Sequence, residues 1–209
     1  MENGYGKTVN GLLSKFKIFQ ALSENIANVN TVGYKRKIPE SLTFQSTLKN
    51  LILRDDTQGA LKKTGKVFDL ALEGNAFFKV DTGSGLATTR NGRFNLNAEG
   101  ELVSIDGHKL IIIEKTDKSI NLALENDIEI NEEGVIFAGN ERFGRIALEI
   151  QDNNPVKVRQ GYVEGSNVNL INEMAALTMA FRSIEASEKL LGMEASVDRD
   201  LIEKYGRNV

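Results

Sequence analysis

The chain's single histidine, His108, is the residue best suited by type to acid–base catalysis. It follows Asp106 and Gly107, and Ser104 lies nearby in the sequence. A hydrolytic triad requires a base that is oriented by a carboxylate and lies beside an activated nucleophile. Because His108 stands among turn-forming residues and no nucleophile elbow is present, we interpret it as a surface-turn residue and predict no catalytic site.

A second candidate is the segment from Glu129 to Asn140, whose side-chain oxygens have the spacing of a calcium-binding loop. Asn131 and Glu133 follow at alternate positions, and Gly134 comes next. A bidentate Glu should close such a loop, but Asn140 occupies that position and no paired helices flank the segment. We therefore expect a β-hairpin here, and we predict no metal site and no cofactor.

The composition argues against several other kinds of chemistry. The 209 residues carry a formal net charge of −3, which disfavours nucleic acid as a main partner because phosphate binding depends on an excess of Lys and Arg. There are 19 glycines but no GxxxxGK[ST] loop that would cradle a phosphate. The absence of cysteine removes disulfides, thiolate metal sites and a cysteine nucleophile. We predict that the chain is not an enzyme and has no small-molecule substrate.

Neither a leader nor a membrane helix is predicted. Lys15 and Lys17 interrupt the N-terminal apolar residues, so we expect no cleaved signal peptide. The longest apolar run, Leu110 to Ile113, is far shorter than the roughly 20 residues that a transmembrane helix needs. We therefore expect no membrane insertion.

An amphipathic helix is predicted near the N-terminus, over residues 4 to 30. Its apolar residues are separated by alternating threes and fours, which is the spacing of one helical stripe. Asn30 and Gly33 supply a C-terminal stop signal. Asn25 and Asn28 lie beside the stripe, either as a solvated helix end or as amides that bond the backbone of adjoining helices. The stripe consists of Tyr5, Val9, Leu12, Phe16, Phe19, Leu22, Ile26 and Val29.

A longer amphipathic helix is predicted over residues 168 to 204, after the N-cap candidates Ser166, Asn167 and Asn169. The first 36 residues have five Lys or Arg against two Glu, whereas residues 163 to 209 have five against eight acidic residues. This complementarity favours pairing and register of the two ends, while apolar burial would supply most of the adhesion. The main apolar stripe is Leu170, Met174, Leu177, Phe181, Ile184 and Leu191, and Leu190, Val197 and Leu201 continue a second one.

Between the helices the sequence predicts an antiparallel β-domain. Residues 34 to 66 are interpreted as an extended connector with a short helical turn near Leu48 to Leu53. From residue 67 to 150 the apolar period changes to two, and turn residues divide short strands. LNAEGELV at residues 96 to 103 resembles INEEGVIF at residues 130 to 137, which predicts two similar hairpins with glycine at a positive-φ position. The expected strands cover residues 67–72, 76–81, 87–90, 93–96, 102–105, 110–114, 128–130, 135–138 and 145–150.

Four motifs, in this order, resemble the flagellar rod and hook family of axial proteins. SENIANVNTVGYKR at residues 23 to 36 resembles ANNLANxxTxGFKR, and LALEGNAFFKV at residues 70 to 80 resembles LAIxGxGFFxV. TRNGRFNLNAEGELVSIDGHKL at residues 89 to 110 resembles TRxGxFxxNxxGxLVxxxGxxL. GYVEGSNVNLINEM at residues 161 to 174 resembles GYLExSNVNxxxEM. The motifs span nearly the whole chain.

The resemblance implies an α+β fold with N- and C-terminal helices in a coiled-coil-like α-domain and a central antiparallel all-β domain. The implied parts are the N-terminal helix of the assembly domain (1–33), the extended connector (34–66), the β-domain (67–155), and the return segment with the C-terminal helix (156–209). The terminal helices would contact neighbouring subunits. The expected interface residues are Val9, Leu12, Phe16, Phe19, Leu22, Asn25, Ile26, Asn28, Val29, Asn30, Gly33, Val168, Leu170, Met174, Leu177, Phe181, Ile184 and Leu191.

The implied function is that of a structural subunit of the bacterial flagellar basal-body rod, which polymerises through its terminal helices into a tubular drive shaft that transmits torque. Expected partners are copies of the chain, other flagellar rod proteins and, during secretion, the flagellar type III export apparatus. The expected location is the periplasmic rod of the basal body. The compact β-domain favours the proximal rod protein. The alternatives are the distal rod protein of the same family and, from a different class, a non-enzymatic envelope-binding β-module.

Overall fold

The computed structural model describes residues 4–40, 51–115 and 127–205, and the chain divides into two compact units. The described part of the first, called here the helical unit, consists of residues 4–27, 37–40, 51–55 and 168–205. That of the second, called the β-unit, consists of residues 28–36, 56–115 and 127–167. Each unit is therefore assembled from segments that are distant in the sequence.

The helical unit contains two helices, α1 (Gly4–Ala27) and α2 (Leu170–Tyr205). α2 starts where its cap is supplied, because the side-chain oxygen of Asn169 accepts a hydrogen bond from Asn172 N–H at 3.1 Å. A two-stranded antiparallel sheet of β1 (Lys37–Glu40) and β2 (Leu51–Arg54) completes the described part of this unit. Among the described residues, neither helix is both long enough and apolar enough to cross a membrane.

α1 ends earlier than the predicted residue 30. The chain turns after Ala27, where the Asn28 carbonyl accepts a hydrogen bond from Thr31 N–H at 3.1 Å. Gly33 then adopts a φ of 69°, a left-handed conformation that favours glycine. The helix therefore ends about one turn before Asn30, and Gly33 serves the turn that follows and not the end of α1.

The β-unit is built from short antiparallel strands. The larger sheet has the order β14-β5-β9-β8-β7, with β6 also paired to β5, and a four-stranded sheet has the order β10-β13-β12-β11. Two further pairs join β15 to β4 and β16 to β3. The strands are β3 (Leu61–Lys63), β4 (Leu70–Glu73), β5 (Ala76–Asp81), β6 (Leu86–Thr89), β7 (Phe94–Leu96), β8 (Leu102–Ser104), β9 (Lys109–Leu110), β10 (Ile112–Ile113), β11 (Ile128–Ile130), β12 (Val135–Ala138), β13 (Glu141–Ile146), β14 (Leu148–Ile150), β15 (Lys157–Gln160) and β16 (Tyr162–Glu164).

The β-unit has a core of its own. Three strands from three different sheets each contribute a completely buried side chain to it, namely Leu70, Phe78 and Ile136. The rings of Phe78 and Phe94 meet edge to face with centroids 5.3 Å apart, a favoured aromatic arrangement. Val158 of β15 belongs to the same core, so the segment that returns the chain toward α2 is part of the domain.

The predicted pair of similar hairpins is confirmed. Gly100 and Gly134 have φ values of 74° and 77°, and each donates its N–H to the carbonyl of the Asn that starts its turn. That Asn caps the turn in both cases, since Asn97 Oδ1 accepts from Glu101 N–H at 2.7 Å and Asn131 Oδ1 accepts from Val135 N–H at 2.9 Å. The segment with calcium-loop spacing is therefore the β11–β12 hairpin.

His108 lies in the turn between β8 and β9, as predicted. Its carbonyl accepts a hydrogen bond from Ser104 N–H at 2.8 Å, and its N–H donates to Ser104 Oγ at 3.2 Å. The two residues that suggested a catalytic pair therefore close the loop between β8 and β9, through the backbone groups of both residues and the Ser104 hydroxyl.

Several strands were not predicted from the sequence. Leu51–Arg54 forms β2, so the helical turn expected near Leu48 to Leu53 is wrong there, while residues 48 to 50 lie outside the described part of the chain. The predicted connector also holds β1, β3 and Pro39, which is tolerated because β1 pairs on one side with β2. The other unpredicted strands are β15 and β16, where the sequence indicated only a return segment.

Candidate assembly site

The apolar contact between α1 and α2 lies in the second half of α1. The rings of Phe19 and Phe181 are tilted by 46° with centroids 6.4 Å apart. Leu22 and Ile184 are 4% and 5% exposed, so they form the closed part of the helix pair. Burying such side chains stabilises a helix pair by about 1.5 to 3 kcal/mol each.

Polar groups fix the register of the two helices. The Lys15 ammonium donates to Ser187 Oγ at 2.5 Å and to the Ser183 carbonyl at 3.2 Å. A Lys in this position can bond one turn of α2 only when the helices are aligned at a single offset. The apolar stripes alone would allow several offsets.

The Asn25 side chain is completely buried between three segments of the helical unit. Its Nδ2 donates to the Lys37 carbonyl at 2.8 Å and to Glu173 Oε2 at 3.0 Å, while its Oδ1 accepts from Lys37 N–H at 2.8 Å. The Asn25 amide is therefore not solvated, but the backbone that it bonds belongs to β1 and not to an adjoining helix, and its contact with α2 is made to a side chain. Asn25 joins α1, β1 and α2 within one chain.

Glu24, beside Asn25, forms an ion pair with Lys37 of β1. The hydrogen bond from the Lys37 ammonium holds the pKa of the Glu24 carboxyl below its usual range. Both side chains are about two-fifths exposed, so solvent screens the pair and it adds little to stability.

α2 carries a second apolar stripe on the side turned away from the buried face. At 3.6 residues per turn, Glu173, Ile184 and Ser187 share the buried face. The stripe on the other side, called here the outer stripe, is between 55% and 79% exposed. The outer stripe consists of Ile171, Met179, Leu190, Met193 and Val197.

The face toward α1 is itself only partly closed. A shallow groove on this face is lined by the apolar side chains of Phe16, Phe19, Phe181 and Ile184. The acidic residues Glu185 and Glu188 also line it. Phe16 is 46% exposed and Phe181 is 51% exposed. The helical unit thus presents apolar side chains on two faces.

Family models match a large part of the β-unit and nearly all of α2. The model described as the flagellar hook protein FlgE/F/G D1 domain matches residues 71–138. The model described as the flagellar basal body rod FlgEFG protein C-terminal matches residues 159–203.

Whole-length relatives agree with these matches. The flagellar basal-body rod protein FlgF of Mesorhizobium japonicum is 30% identical over 219 residues, which cover 88% of this chain and 90% of that protein. FlgF of Rhizobium meliloti is 30% identical over 232 residues, which cover 95% of this chain and 96% of that protein. FlgG of Bacillus subtilis is 25% identical over 255 residues, which cover 91% of this chain and 96% of that protein. This chain belongs to the flagellar basal-body rod protein family.

The structure of this rod protein distributes the predicted interface residues over three environments. Those that the chain itself buries are Leu22, Asn25 and Ile184. Those that are half-buried in the helical unit are Val9, Leu12, Phe19, Ile26, Val168, Leu177 and Leu191. Those that are exposed are Phe16, Leu170, Met174 and Phe181.

The remaining predicted residues of the rod protein, Asn28, Val29, Asn30 and Gly33, belong to the β-unit. Gly33 N–H donates to the Glu164 carbonyl at 2.8 Å, so this glycine is packed against the chain's own β16. The motif at residues 23 to 36 therefore serves two units of the rod protein, its first part in α1 and its second part in the β-unit.

Sequence reasoning missed the polar residues that position the helices and strands of this rod protein. Lys15, Glu173 and Ser187 stand at helix positions that face the partner helix, but only apolar residues were assigned to the stripes. Lys35, Arg90 and Glu164 are also buried. The sequence did mark these three residues, since each of them lies in one of the motifs that resemble the rod family. Within the described residues, no group of three or more His, Asp or Glu is positioned to hold a metal ion.

Proposed function

We propose that this chain is a structural subunit of the bacterial flagellar basal-body rod, of the proximal FlgF type. The FlgF relatives at 30% identity and the hook and rod family models support this assignment. FlgG relatives match at 25% to 29% identity, which favours the proximal over the distal rod protein. The chain is thus a component of the flagellar basal body.

The outer stripe is the observation that carries the assembly part of the proposal. An apolar stripe that α1 does not cover needs another partner, and burial of apolar area contributes about 25 cal/mol per Å². In an axial structure that partner is a helix of a neighbouring subunit, packed as in a coiled coil. Contacts of this kind between different faces of identical or related subunits generate a filament when the rotation between neighbours does not close into a ring.

The partners of the chain are accordingly copies of itself and other flagellar rod proteins. We further propose that the two terminal helices serve as the assembly domain, that the type III export apparatus secretes the chain without a cleaved signal peptide, and that the assembled rod is periplasmic. The predicted interface residues that remain exposed, together with the outer stripe, supply the intersubunit contacts. The buried ones position the two helices for that role.

Met179→Asp tests the proposal at a position that is 71% exposed. Because the side chain lies on the outer stripe, the stability of the subunit should change by no more than about 0.5 kcal/mol. We expect a folded monomer that does not enter purified basal bodies and does not restore motility to cells that lack the chain. Circular dichroism, immunoblotting of basal bodies and swimming assays measure these outcomes.

Met179→Leu is the matched control, since it keeps an apolar side chain of similar volume at the same place. It should incorporate normally. Normal incorporation and motility with Met179→Asp would contradict the outer stripe as an assembly surface. Normal motility of cells that lack the chain altogether would contradict the rod assignment itself.

A further inference from the structure

The Glu164 carboxylate is 1% exposed in the β-unit and binds groups from three other parts of the chain. Its Oε1 accepts hydrogen bonds from the Lys35 ammonium at 2.8 Å and from Gly59 N–H at 2.9 Å. Its Oε2 accepts from Arg90 Nε at 2.5 Å. Lys35 and Arg90 are themselves 8% and 5% exposed, so this is a buried cluster of two cations and one anion.

Backbone carbonyls accept further hydrogen bonds from both cations. Lys35 Nζ also donates to the carbonyls of Thr57 at 2.8 Å and Asp56 at 3.3 Å. Each cation thereby ties a backbone segment to Glu164. Arg90 donates in the same way to the carbonyls of Leu72, Gly74 and Ala76.

Two close backbone approaches accompany the charge cluster. A Cβ added to Gly33 would lie 2.4 Å from Asn91 N, and one added to Gly59 would lie 2.1 Å from the Gly165 carbonyl oxygen. Distances of this size leave no room for a side chain. The chain around Lys35 and the chain around Gly59 are therefore seated directly against the backbone beside Arg90 and Glu164.

The cluster lies at the residues where the chain passes between the β-unit and the helical unit. Parts of the β-unit end at Arg36 and Asn167, and another part starts at Asp56. These ends are bonded to one another, since Arg36 N–H donates to Asn167 Oδ1 at 2.7 Å and Asn167 Nδ2 donates to the Thr57 carbonyl at 3.0 Å. Within the β-unit, hydrogen bonds therefore connect the residues at which three of its segments begin or end.

We propose that Lys35, Arg90 and Glu164, called here the Glu164 clasp, are positioning residues for assembly. The clasp fixes three of the four residues at which the chain enters or leaves the β-unit, the fourth being Asn28. It contributes no surface to a neighbouring subunit, because all three side chains are buried. This inference rests on the proposed rod function and adds to it a requirement that lies away from the intersubunit contacts.

A buried ion cluster of this kind acts on conformational specificity more than on net stability. Desolvation of the charges offsets much of their mutual attraction, so apolar residues of similar volume could fill the same space at little cost. What apolar residues would not reproduce is the directional bonding of Lys35 to Thr57 and to Glu164. Loss of the clasp should therefore loosen particular segments and leave the β-core folded.

Lys35→Met tests the clasp while the Arg90–Glu164 pair stays intact. In the purified subunit we expect the amide protons of Gly33 and Gly59 to exchange roughly tenfold to a hundredfold faster, the loss expected for a hydrogen bond to a charged group. The amides of Phe78 and Ile136 in the core should keep their protection. In cells, the variant should enter basal bodies much less often than the unaltered chain.

Gly33→Ala releases the same segment without a change of charge, because its Cβ would overlap Asn91 and its φ is positive. It should reproduce the exchange and assembly defects of Lys35→Met. Lys157→Met is the matched control, since it removes a Lys–Glu ion pair of 2.7 Å whose side chains are about half exposed. It should change neither measurement.

Each result of this experiment decides the matter. The local role of the clasp would be overturned if the amide of residue 33 exchanged at an unchanged rate in both variants. It would also be overturned if exchange in the β-core became faster to the same extent as exchange at residue 33. Faster local exchange with normal incorporation would overturn its role in assembly. Faster local exchange in a protein whose unaltered form is absent from basal bodies would overturn the rod function and leave the local role of the clasp standing.

Discussion

The two units of this chain treat apolar surface in opposite ways. The β-unit encloses Phe78, Leu70 and Ile136 completely among its own strands. The helical unit buries Leu22 and Ile184 but leaves Met179 71% exposed. The β-unit therefore has a closed apolar core, whereas the helical unit leaves apolar area exposed on its surface.

The polar residues follow the same division of roles. In the β-unit, buried charges bind one another and nearby carbonyls, as at the Glu164 clasp. In the helical unit, Asn25 and Lys15 bond groups of the facing segments and set one alignment of the helices. Specific polar bonds thus fix geometry in both units, and what differs is how much apolar area remains uncovered. In the rod function proposed above, neighbouring subunits bind this uncovered apolar area.

Among the substitutions that test this difference between the units, Phe78→Ala should have the largest effect on stability. The side chain is fully buried, so its truncation should lower the free energy of unfolding of the β-unit by about 3 to 5 kcal/mol. Phe16→Ala makes the same chemical change at a side chain that is 46% exposed, and it should cost far less. Residue-resolved hydrogen exchange measures the opening of each unit separately. Similar losses in the two variants would mean that the units do not differ as described.

Asn25→Ala should have the next largest effect, and it should be confined to the helical unit. The change leaves Lys37 N–H without its partner and removes a donor to Glu173, which should cost about 1 to 3 kcal/mol. We expect faster exchange in the second half of α1 and the first half of α2, with the β-core unchanged. Asn172→Ala, at an exposed amide of α2, is the control and should stay within about 0.5 kcal/mol. Faster exchange throughout the β-unit would show that the two units open together.

Periodicity was sufficient to predict the elements whose two sides differ in polarity. The α2 stripe, the strand Ala76–Asp81 and the hairpins at Gly100 and Gly134 were predicted with few or no errors in their bounds. Strands without such a contrast were missed. β3 reads Leu-Lys-Lys and is mostly exposed, and Tyr162–Glu164 ends in a Glu that is buried by its ion pairs. A buried charge looks in sequence like a surface residue, because its partners lie far along the chain.

Which apolar residues of the helices the chain itself covers was predicted only in part, for a related reason. A stripe identifies which residues of a helix avoid water, but it does not say whether the same chain or a neighbour covers them. Leu22 and Ile184 are covered by their own chain, while Phe16 and Phe181 are half exposed. Met179 and Met193 were not assigned to any stripe, because a helix with apolar residues on two faces has a weaker period than a helix with one. Only the packed structure separates the two faces.

Acidification should have the smallest effect, and its direction follows from Glu24. Lys37 holds the folded pKa of this carboxyl below its usual range. The pair therefore stabilises the helical unit at pH values above the pKa of the unfolded chain, and this contribution is lost as the pH falls toward the lower folded value. Glu24→Gln removes the charge at every pH. The difference in protection between the unaltered chain and Glu24→Gln should be small at about pH 7 and should decrease as the pH falls through the folded pKa of Glu24.

The same titration separates the two units. Glu132 in the β-unit also has a pKa below its usual range, chiefly because of the hydrogen bond from Lys157. Glu132→Gln should alter exchange near β15 alone, as Glu24→Gln should alter it near α1 and β1 alone. High salt should reduce both effects, because solvent-exposed ion pairs are screened. A difference for Glu24→Gln that grew on acidification would reverse the expected sign and would mean that Lys37 does not stabilise the ionised carboxylate. Because Lys37 N–H also bonds Asn25, that result would require a different account of how β1 is held against α1.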